Sequence, residues 1–145
     1  MLLCVFTLNV FGQGIDFFKG NLSEALTKAR SENKIVFVDF VASGSEPCEQ
    51  MSAEVFSQEI ISAYFNQRFI CVQIDVEKEK ELTQKYDVTR VPSMLFFSPE
   101  GKIVKQIVGP ISLTDLVQTA MFVAGDLLSL EDQWVAMQGD KIGRA

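Results

Sequence analysis

One cysteine, Cys48, lies at the start of a predicted helix, where a thiol is suited to disulfide chemistry. In a C-x-x-C pair, the first sulfur stands at the exposed helix N-terminus, where the dipole favours its thiolate, and the second lies one turn further in. Clean exchange needs both thiols, because the second one releases the mixed disulfide. No cysteine lies three residues before or after Cys48, so the sequence offers one thiol in the first turn of a helix.

A carboxylic acid, Asp39, lies inside the apolar run 35–42, which predicts a strand buried on both faces of a sheet. Burying a carboxylate costs several kcal/mol unless it is paired or protonated. Asp39 is therefore expected to be paired or protonated, and a local hydrogen bond is one way to pair it. The polar turn 43–46 and Pro47 follow the strand, and proline is tolerated in the first turn of a helix. The predicted order is buried strand, tight turn and helix start.

The segment VDFVASGSEPCEQM resembles the active-site segment of the thioredoxin family, in which a strand carrying V-D-F-x-A runs into W-C-G-P-C-K at a helix N-terminus. The family's buried aspartate falls on Asp39, its proline on Pro47 and its second cysteine on Cys48. Its first cysteine, the nucleophile, falls on Ser45. The resemblance implies a thioredoxin-like fold with a degenerate S-x-x-C site, in which Cys48 matches the resolving thiol.

The resemblance also implies roles for further residues. In the family, the aspartate that matches Asp39 lies beneath the second cysteine and accepts its proton. Pro92 matches the proline that the family holds in cis beside the active-site helix, and the backbone of Val91 would offer a strand-like hydrogen bond to an extended substrate. Pro47 completes this expected substrate groove. The implied partners are the thiols and disulfides of proteins or peptides.

Neither Ser45 nor Cys48 carries the family's chemistry unaided. A serine hydroxyl forms no disulfide, and the chain has no histidine that would activate Ser45 as a nucleophile. The acidic neighbours Glu46 and Glu49 disfavour a thiolate at Cys48 by like charge. Two interpretations of Cys48 stay open: a monothiol that traps or exchanges poorly, and an inert buried cysteine. Monothiol glutaredoxins retain the first cysteine of the pair, so a resemblance to them fails.

Cys71 lies in the apolar segment 69–76, at a position that the resemblance places near the buried aspartate. One hypothesis pairs Cys71 with Cys48 in an internal disulfide, which an oxidising compartment would favour. The geometry is demanding, because Cα atoms more than about 7 Å apart cannot be bridged without backbone movement. The alternative is a small apolar side chain that fills the core.

Hydrophobic periodicity predicts alternating strands and helices along the chain. Strands are predicted at residues 15–18, 35–41, 69–76, 94–98 and 103–108. Helices are predicted at 22–31 behind an Asn21–Glu24 capping box, from Pro47 onward with a break near Ser57, at 77–86, after Ser112 and at 129–138. This order predicts an α/β fold with a mixed central sheet, helices on both faces and an extra C-terminal helix. It is also the order of the thioredoxin fold.

The chain of 145 residues carries a net charge of −6 and no histidine. An acidic surface argues against nucleic acid or anionic lipid as a partner. The absence of histidine removes the commonest general base and metal ligand. The sequence contains no metal-ligand cluster, phosphate-binding loop or nucleotide fingerprint, so neither a metal nor another cofactor is predicted.

The two ends of the chain differ from the domain between them. Residues 1–12 contain an apolar stretch too short to span a bilayer, followed by a match to a signal-peptidase site, although no Lys or Arg precedes the stretch. They are expected to direct export to the periplasm or beyond, with a first β-strand as the alternative. Residues 13–128 form the predicted domain. Residues 129–145 are expected to hold the extra helix and the start of a linker to a downstream region, or else one packing helix of a complete chain.

Two functions fit these observations best, and a third is a structural head domain for whatever follows Ala145. The first is an exported thioredoxin-like thiol–disulfide oxidoreductase with a degenerate site and reduced or absent redox activity. The second is a non-catalytic binding module that keeps the fold and uses the groove beside Pro92. The two functions differ in whether the thiol of Cys48 is needed.

Overall fold

The computed structural model describes residues 14–126, together with 135, 138 and 139. The signal peptide predicted at 1–12 lies outside the described residues, as does most of the helix predicted at 129–138. In chain order the elements are α1 (Leu22–Glu32), β1 (Ile35–Val41), α2 (Glu46–Gln50), a π-helical segment (Met51–Phe56), α3 (Glu59–Arg68), β2 (Phe69–Asp75), α4 (Lys80–Lys85), β3 (Ser93–Phe97), β4 (Ile103–Val108) and α5 (Leu113–Val123). Within the described ranges, no helix has both the length and the apolar character needed to cross a membrane.

The sheet is mixed, as the sequence predicts, with its strands in the order β2-β1-β3-β4. β1 pairs in parallel with β2 and antiparallel with β3. β3 and β4 form the predicted antiparallel hairpin. Because β1 has a strand on each side and helices over each face, five consecutive residues in it are buried.

Alternation along β1 divides the core into two clusters, one on each face of the sheet. Phe37 points into an aromatic cluster, where its ring centroid lies 4.9 Å from that of Phe65 and 5.1 Å from that of Phe96. Its neighbours Val36 and Val38 point to the opposite face, against α1. A strand covered on both faces reads as a continuous apolar run rather than an alternating one, which is the pattern in the sequence.

Local sequence sets the helix boundaries. The Asn21 side chain accepts a hydrogen bond from the Glu24 N–H at 2.9 Å, and the Glu24 carboxylate accepts one from the Asn21 N–H at 3.0 Å. This is the predicted capping box of α1. Ser112 caps α5 through the N–H of Asp115 at 3.1 Å, again as predicted. The predicted break near Ser57 is also confirmed, because this residue separates the π-helical segment from α3.

The strand predicted at residues 15–18 is wrong. Only Phe17 pairs there, in an isolated parallel bridge to Cys71. The N–H of Asp16 instead donates to the side-chain oxygen of Asn66 at 2.7 Å, so it is not available for a strand neighbour. The segment therefore covers part of the outer edge of β2 without extending the sheet.

The helix predicted at residues 77–86 is shorter than expected. The N–H of Glu77 donates to the Asp75 carboxylate at 2.9 Å, and this local bond holds the chain in a turn. Helical structure begins only at Lys80. The sequence pattern placed the helix in the correct region but did not predict the turn that precedes its first residue.

Candidate functional site

The turn from β1 to α2 carries Ser45 and Cys48. Gly44 lies in this turn with a φ of +72°, a left-handed conformation that costs glycine little. Ser45 is the N-cap of α2, and its hydroxyl oxygen accepts the backbone N–H of Cys48 at 3.5 Å. Pro47 follows in the first turn, where its missing N–H needs no helical partner. Ser45 thus has a structural role that the sequence analysis did not assign: it starts the helix.

The Cys48 thiol is free and largely buried, with 8% of the residue exposed. Glu46 and Glu49 flank it in the first turn of the helix, and both are exposed. A disulfide that approaches Cys48 therefore passes two carboxylates and reaches only a small part of the residue. Both features oppose rapid thiol–disulfide exchange.

Asp39 is 1% exposed and is the one carboxylate in the described core. Its Oδ2 accepts a hydrogen bond from the Gln73 side-chain amide at 3.2 Å, whereas its Oδ1 has no partner among the described residues. Burial raises the pKa of Asp39 to about 6, and the Gln73 bond opposes part of this rise. The carboxyl group therefore changes its protonation near neutral pH, where a proton acceptor for a thiol is useful.

Gln73 is a site residue that the sequence analysis missed. It pairs with Asp39 in the parallel ladder between β1 and β2, so the two side chains lie on one face of the sheet. The signal in the sequence is a polar residue inside an apolar run. Its meaning depends on the register of two strands, which brings together residues 34 positions apart.

Pro92 is buried, and the Val91–Pro92 peptide bond is cis, as the resemblance implies. The next residue, Ser93, begins β3 and pairs with Phe40 near the carboxyl end of β1. The turn that carries Ser45 leaves β1 at this same end. The structure therefore brings the proline, the buried acid and the helix start to one end of the sheet. Val91 is half-buried there.

A surface groove of about 330 Å³ lies between α2, the π-helical segment after it, and the segment that leads into α5. Its apolar lining comprises Pro47, Met51, Val55, Pro110, Ile111 and Leu113. Of the three residues predicted to bind substrate, the groove contains Pro47 and lacks Val91 and Pro92. Pro92 is buried, and its carbonyl oxygen accepts the N–H of Gly109 at 2.8 Å. This groove is therefore not the one expected beside Pro92.

The structure contradicts the disulfide hypothesis, because Cys48 and Cys71 are both free thiols. Cys71 is 2% exposed and belongs to the aromatic cluster, with its sulfur 3.9 Å from the carbonyl oxygen of Phe65. Cys48 is not a member of that cluster. Burial raises the pKa of the Cys71 thiol, with a smaller contribution from the charge of Asp16. Cys71 thus fills the core, the alternative that the sequence left open.

Comparison with known proteins agrees with this arrangement. Residues 22–124 match the family described as thioredoxin-like domain. A thioredoxin H-type from rice, Oryza sativa subsp. indica, is 31% identical over 94 residues, which cover 63% of this chain and 70% of the relative. Human UBX domain-containing protein 4 is 32% identical over 103 residues, which cover 70% of this chain. This chain spans only 20% of the length of that relative.

Solved structures show the same fold. A thioredoxin from Thermus thermophilus superposes with a TM-score of 0.68 at 23% identity, over 76% of this chain and 87% of that one. A protein from Bacteroides thetaiotaomicron, named as a candidate disulphide isomerase, superposes with a TM-score of 0.69 at 30% identity. The second superposition covers 81% of this chain and 98% of the other. Both matches therefore cover most of the other protein's chain.

Proposed function

Because this chain belongs to the family of thioredoxin-like domains, we propose that it is an exported member of the thiol–disulfide oxidoreductase lineage with reduced or absent redox turnover. The observation that carries this proposal is the turn after β1. Ser45 stands where the family has its nucleophilic cysteine, and its hydroxyl caps the helix that bears Cys48. The substrate class is protein or peptide disulfides and thiols, which the thioredoxin and disulphide-isomerase relatives support.

With one thiol at the site, exchange stops halfway. The Cys48 thiolate attacks one sulfur of a substrate disulfide, a new S–S bond forms, and the substrate bond breaks. The second substrate sulfur leaves as a thiolate and takes up a proton. A neighbouring protein thiol would then release the substrate, but the matching position is Ser45. The mixed disulfide therefore persists until an external thiol attacks it.

Asp39 is the proposed proton acceptor for the Cys48 thiol. Its burial, its unpartnered Oδ1 and a pKa of about 6 support this role, because such a carboxylate takes up a proton readily near neutral pH. The Gln73 amide holds Oδ2 and so fixes the orientation of the carboxyl group. The family resemblance supplies the pairing of this aspartate with the second cysteine.

Export is part of the proposal and depends on residues 1–12, with their apolar stretch and signal-peptidase-like end. A secreted or periplasmic setting is oxidising, and protein disulfides are common there. A domain with one thiol at its proposed site meets its substrate class directly in that setting.

Wild-type protein is expected to accelerate insulin reduction by dithiothreitol by less than about twofold, because no second thiol resolves the mixed disulfide. Mass spectrometry of protein produced without residues 1–12, and therefore without Cys4, should show at most one adduct, at Cys48, after the folded protein is incubated with oxidised glutathione. The Cys48→Ala variant is the matched control and should carry no adduct. Turnover well above the dithiothreitol background that disappears in Cys48→Ala would refute the proposal of weak activity.

A second candidate function is a binding module without redox chemistry. The groove lined by Pro47, Met51 and Leu113 favours it, because this surface of mixed apolar and polar side chains contains no thiol. In this function the fold presents a groove, and Cys48 has no role in recognition.

If the groove is a binding site, a peptide selected from a random library on wild-type protein should bind Cys48→Ala unchanged. It should bind Leu113→Glu about tenfold more weakly, because a second carboxylate, in addition to Glu54, penalises an apolar ligand in the groove. Phe122→Glu is the matched control, since Phe122 is exposed on α5 outside the groove. Loss of binding in Cys48→Ala would favour the thiol-dependent function instead.

A further inference from the structure

β4 is the outer strand of the sheet, with no strand beside its far edge among the described residues. All of its residues except Ile107 are exposed. Of the six exposed large apolar side chains in the described residues, three lie on β4: Ile103 at 45%, Val104 at 48% and Val108 at 53%. An unpaired edge strand with exposed apolar side chains can pair with a strand of another chain, and most proteins avoid exposing such an edge.

The unpaired hydrogen-bonding groups of this edge belong to Val108 and Gln106. In an antiparallel ladder, alternate residues direct their N–H and C=O groups toward the same neighbour. The N–H of Gly109 donates to the carbonyl of Pro92, on the β3 side, at 2.8 Å. Val108 therefore directs its backbone groups outward, and by alternation Gln106 does the same. Two residues thus offer donors and acceptors to an added strand.

The same edge is basic, although the chain has a net charge of −6. Between the hairpin turn and α5, the sequence contains Lys102 and Lys105 and no acidic residue. Arg90 adds a third cation, because its guanidinium lies 3.7 Å from the position that a side-chain carbon would take at Gly109. Glu100 precedes this stretch, in the turn, where its charge interacts with that of Lys102, so Lys105 and Arg90 carry most of the positive charge of the edge. The edge is therefore a positive and partly apolar strip on an acidic protein.

We propose that the β4 edge binds an extended segment of another polypeptide in which apolar and acidic residues alternate. The segment adds a fifth strand and pairs with the outward groups of Gln106 and Val108. Its apolar side chains lie on the face of Val108, and its acidic side chains lie on the face of Lys105, since the two residues point to opposite faces. A second copy of this chain fits less well, because it brings two positive edges together.

The charge requirement is tested with two synthetic hexapeptides on the full chain at low ionic strength, one alternating valine with glutamate and the other valine with lysine. We expect the glutamate peptide to bind at least about tenfold more tightly than the lysine peptide. Lys105→Glu should weaken its binding about tenfold, whereas Lys19→Glu, the same change at an exposed site outside β4, should not. Equal binding of the two peptides, binding of neither, or self-association through β4 would overturn the proposal.

The backbone requirement is tested with Gln106→Pro. Proline removes one outward N–H and is tolerated on an edge strand where that group faces solvent, so the hairpin should persist. The variant should lose binding of the glutamate peptide, and the matched control Gln106→Ala should retain it. Hydrogen exchange on wild-type protein is an independent readout: the peptide should protect the amides of Gln106 and Val108. Protection confined to residues outside β4, or equal binding by both variants, would contradict strand addition.

Discussion

Replacing Ser45 with cysteine is expected to create a dithiol that reduces insulin disulfides on the order of 100-fold faster than wild type. The new sulfur stands at the N-cap of α2, where a thiolate is favoured, and Cys48 lies three residues further on. The new thiol attacks the substrate, and Cys48 then resolves the mixed disulfide, which is the step that a chain with Ser45 cannot complete. Precipitation of the insulin B chain in the presence of dithiothreitol measures this rate.

The matched control is Ser45→Ala, which loses the same helix cap without gaining a thiol. Losing the bond to the Cys48 N–H should cost about 1 kcal/mol of unfolding free energy and leave insulin reduction at the wild-type level. In the Ser45→Cys background, a further Cys48→Ala change should trap the substrate as a mixed disulfide and abolish turnover. If Ser45→Cys is folded but reduces insulin no faster than Ser45→Ala, the rest of the site does not support thiol–disulfide exchange. The proposed redox lineage would then say nothing about the present function.

The second large effect is on stability: Asp39→Asn is expected to raise the free energy of unfolding at pH 7 by about 3 kcal/mol. Asp39 is 1% exposed, and burial raises its pKa from 3.8 to about 6. At pH 7 the folded protein therefore holds a carboxylate where charge is costly. Asparagine has nearly the same shape and no charge, so the substitution removes that cost.

The size of this gain depends on pH in a defined direction. A carboxyl group whose pKa is raised by folding binds more protons in the folded state than in the unfolded state. Wild-type stability attributable to Asp39 therefore falls as pH rises from 3.8 to about 6, and it stays low above that range. Below pH 3.8 the group is protonated in both states, so wild type and Asp39→Asn should be nearly equally stable.

Urea unfolding at about pH 3.5, 5 and 7 measures the difference between the two proteins. Asp16→Asn is the matched control, because Asp16 is exposed and its substitution should change stability by less than about 0.5 kcal/mol. A difference between wild type and Asp39→Asn that is the same at every pH would show that ionisation of Asp39 is not its source.

In the Ser45→Cys background, Asp39→Asn should also slow insulin reduction about tenfold if Asp39 accepts the thiol proton.

The sequence by itself determined the features that depend on neighbours along the chain. The apolar run around Asp39 predicts a strand covered on both faces, and the caps at Asn21 and Ser112 predict helix starts, because each involves residues within a few positions of one another. The family resemblance then predicted the fold from the strand, turn and helix that lead to Cys48. The strand expected at residues 15–18 failed because a long-range bond to Asn66 took one of its N–H groups.

Only the tertiary structure decided what depends on register and on packing between distant elements. The partner of Asp39 is Gln73, which the parallel pairing of β1 and β2 places beside it. Cys71 packs in an aromatic cluster that does not include Cys48, because its position on β2 determines its neighbours. The groove beside Pro47 and the open edge of β4 arise in the same way. Packing between α2 and the segment before α5 forms the groove, and the sheet order leaves β4 at an edge, and short-range patterns encode neither.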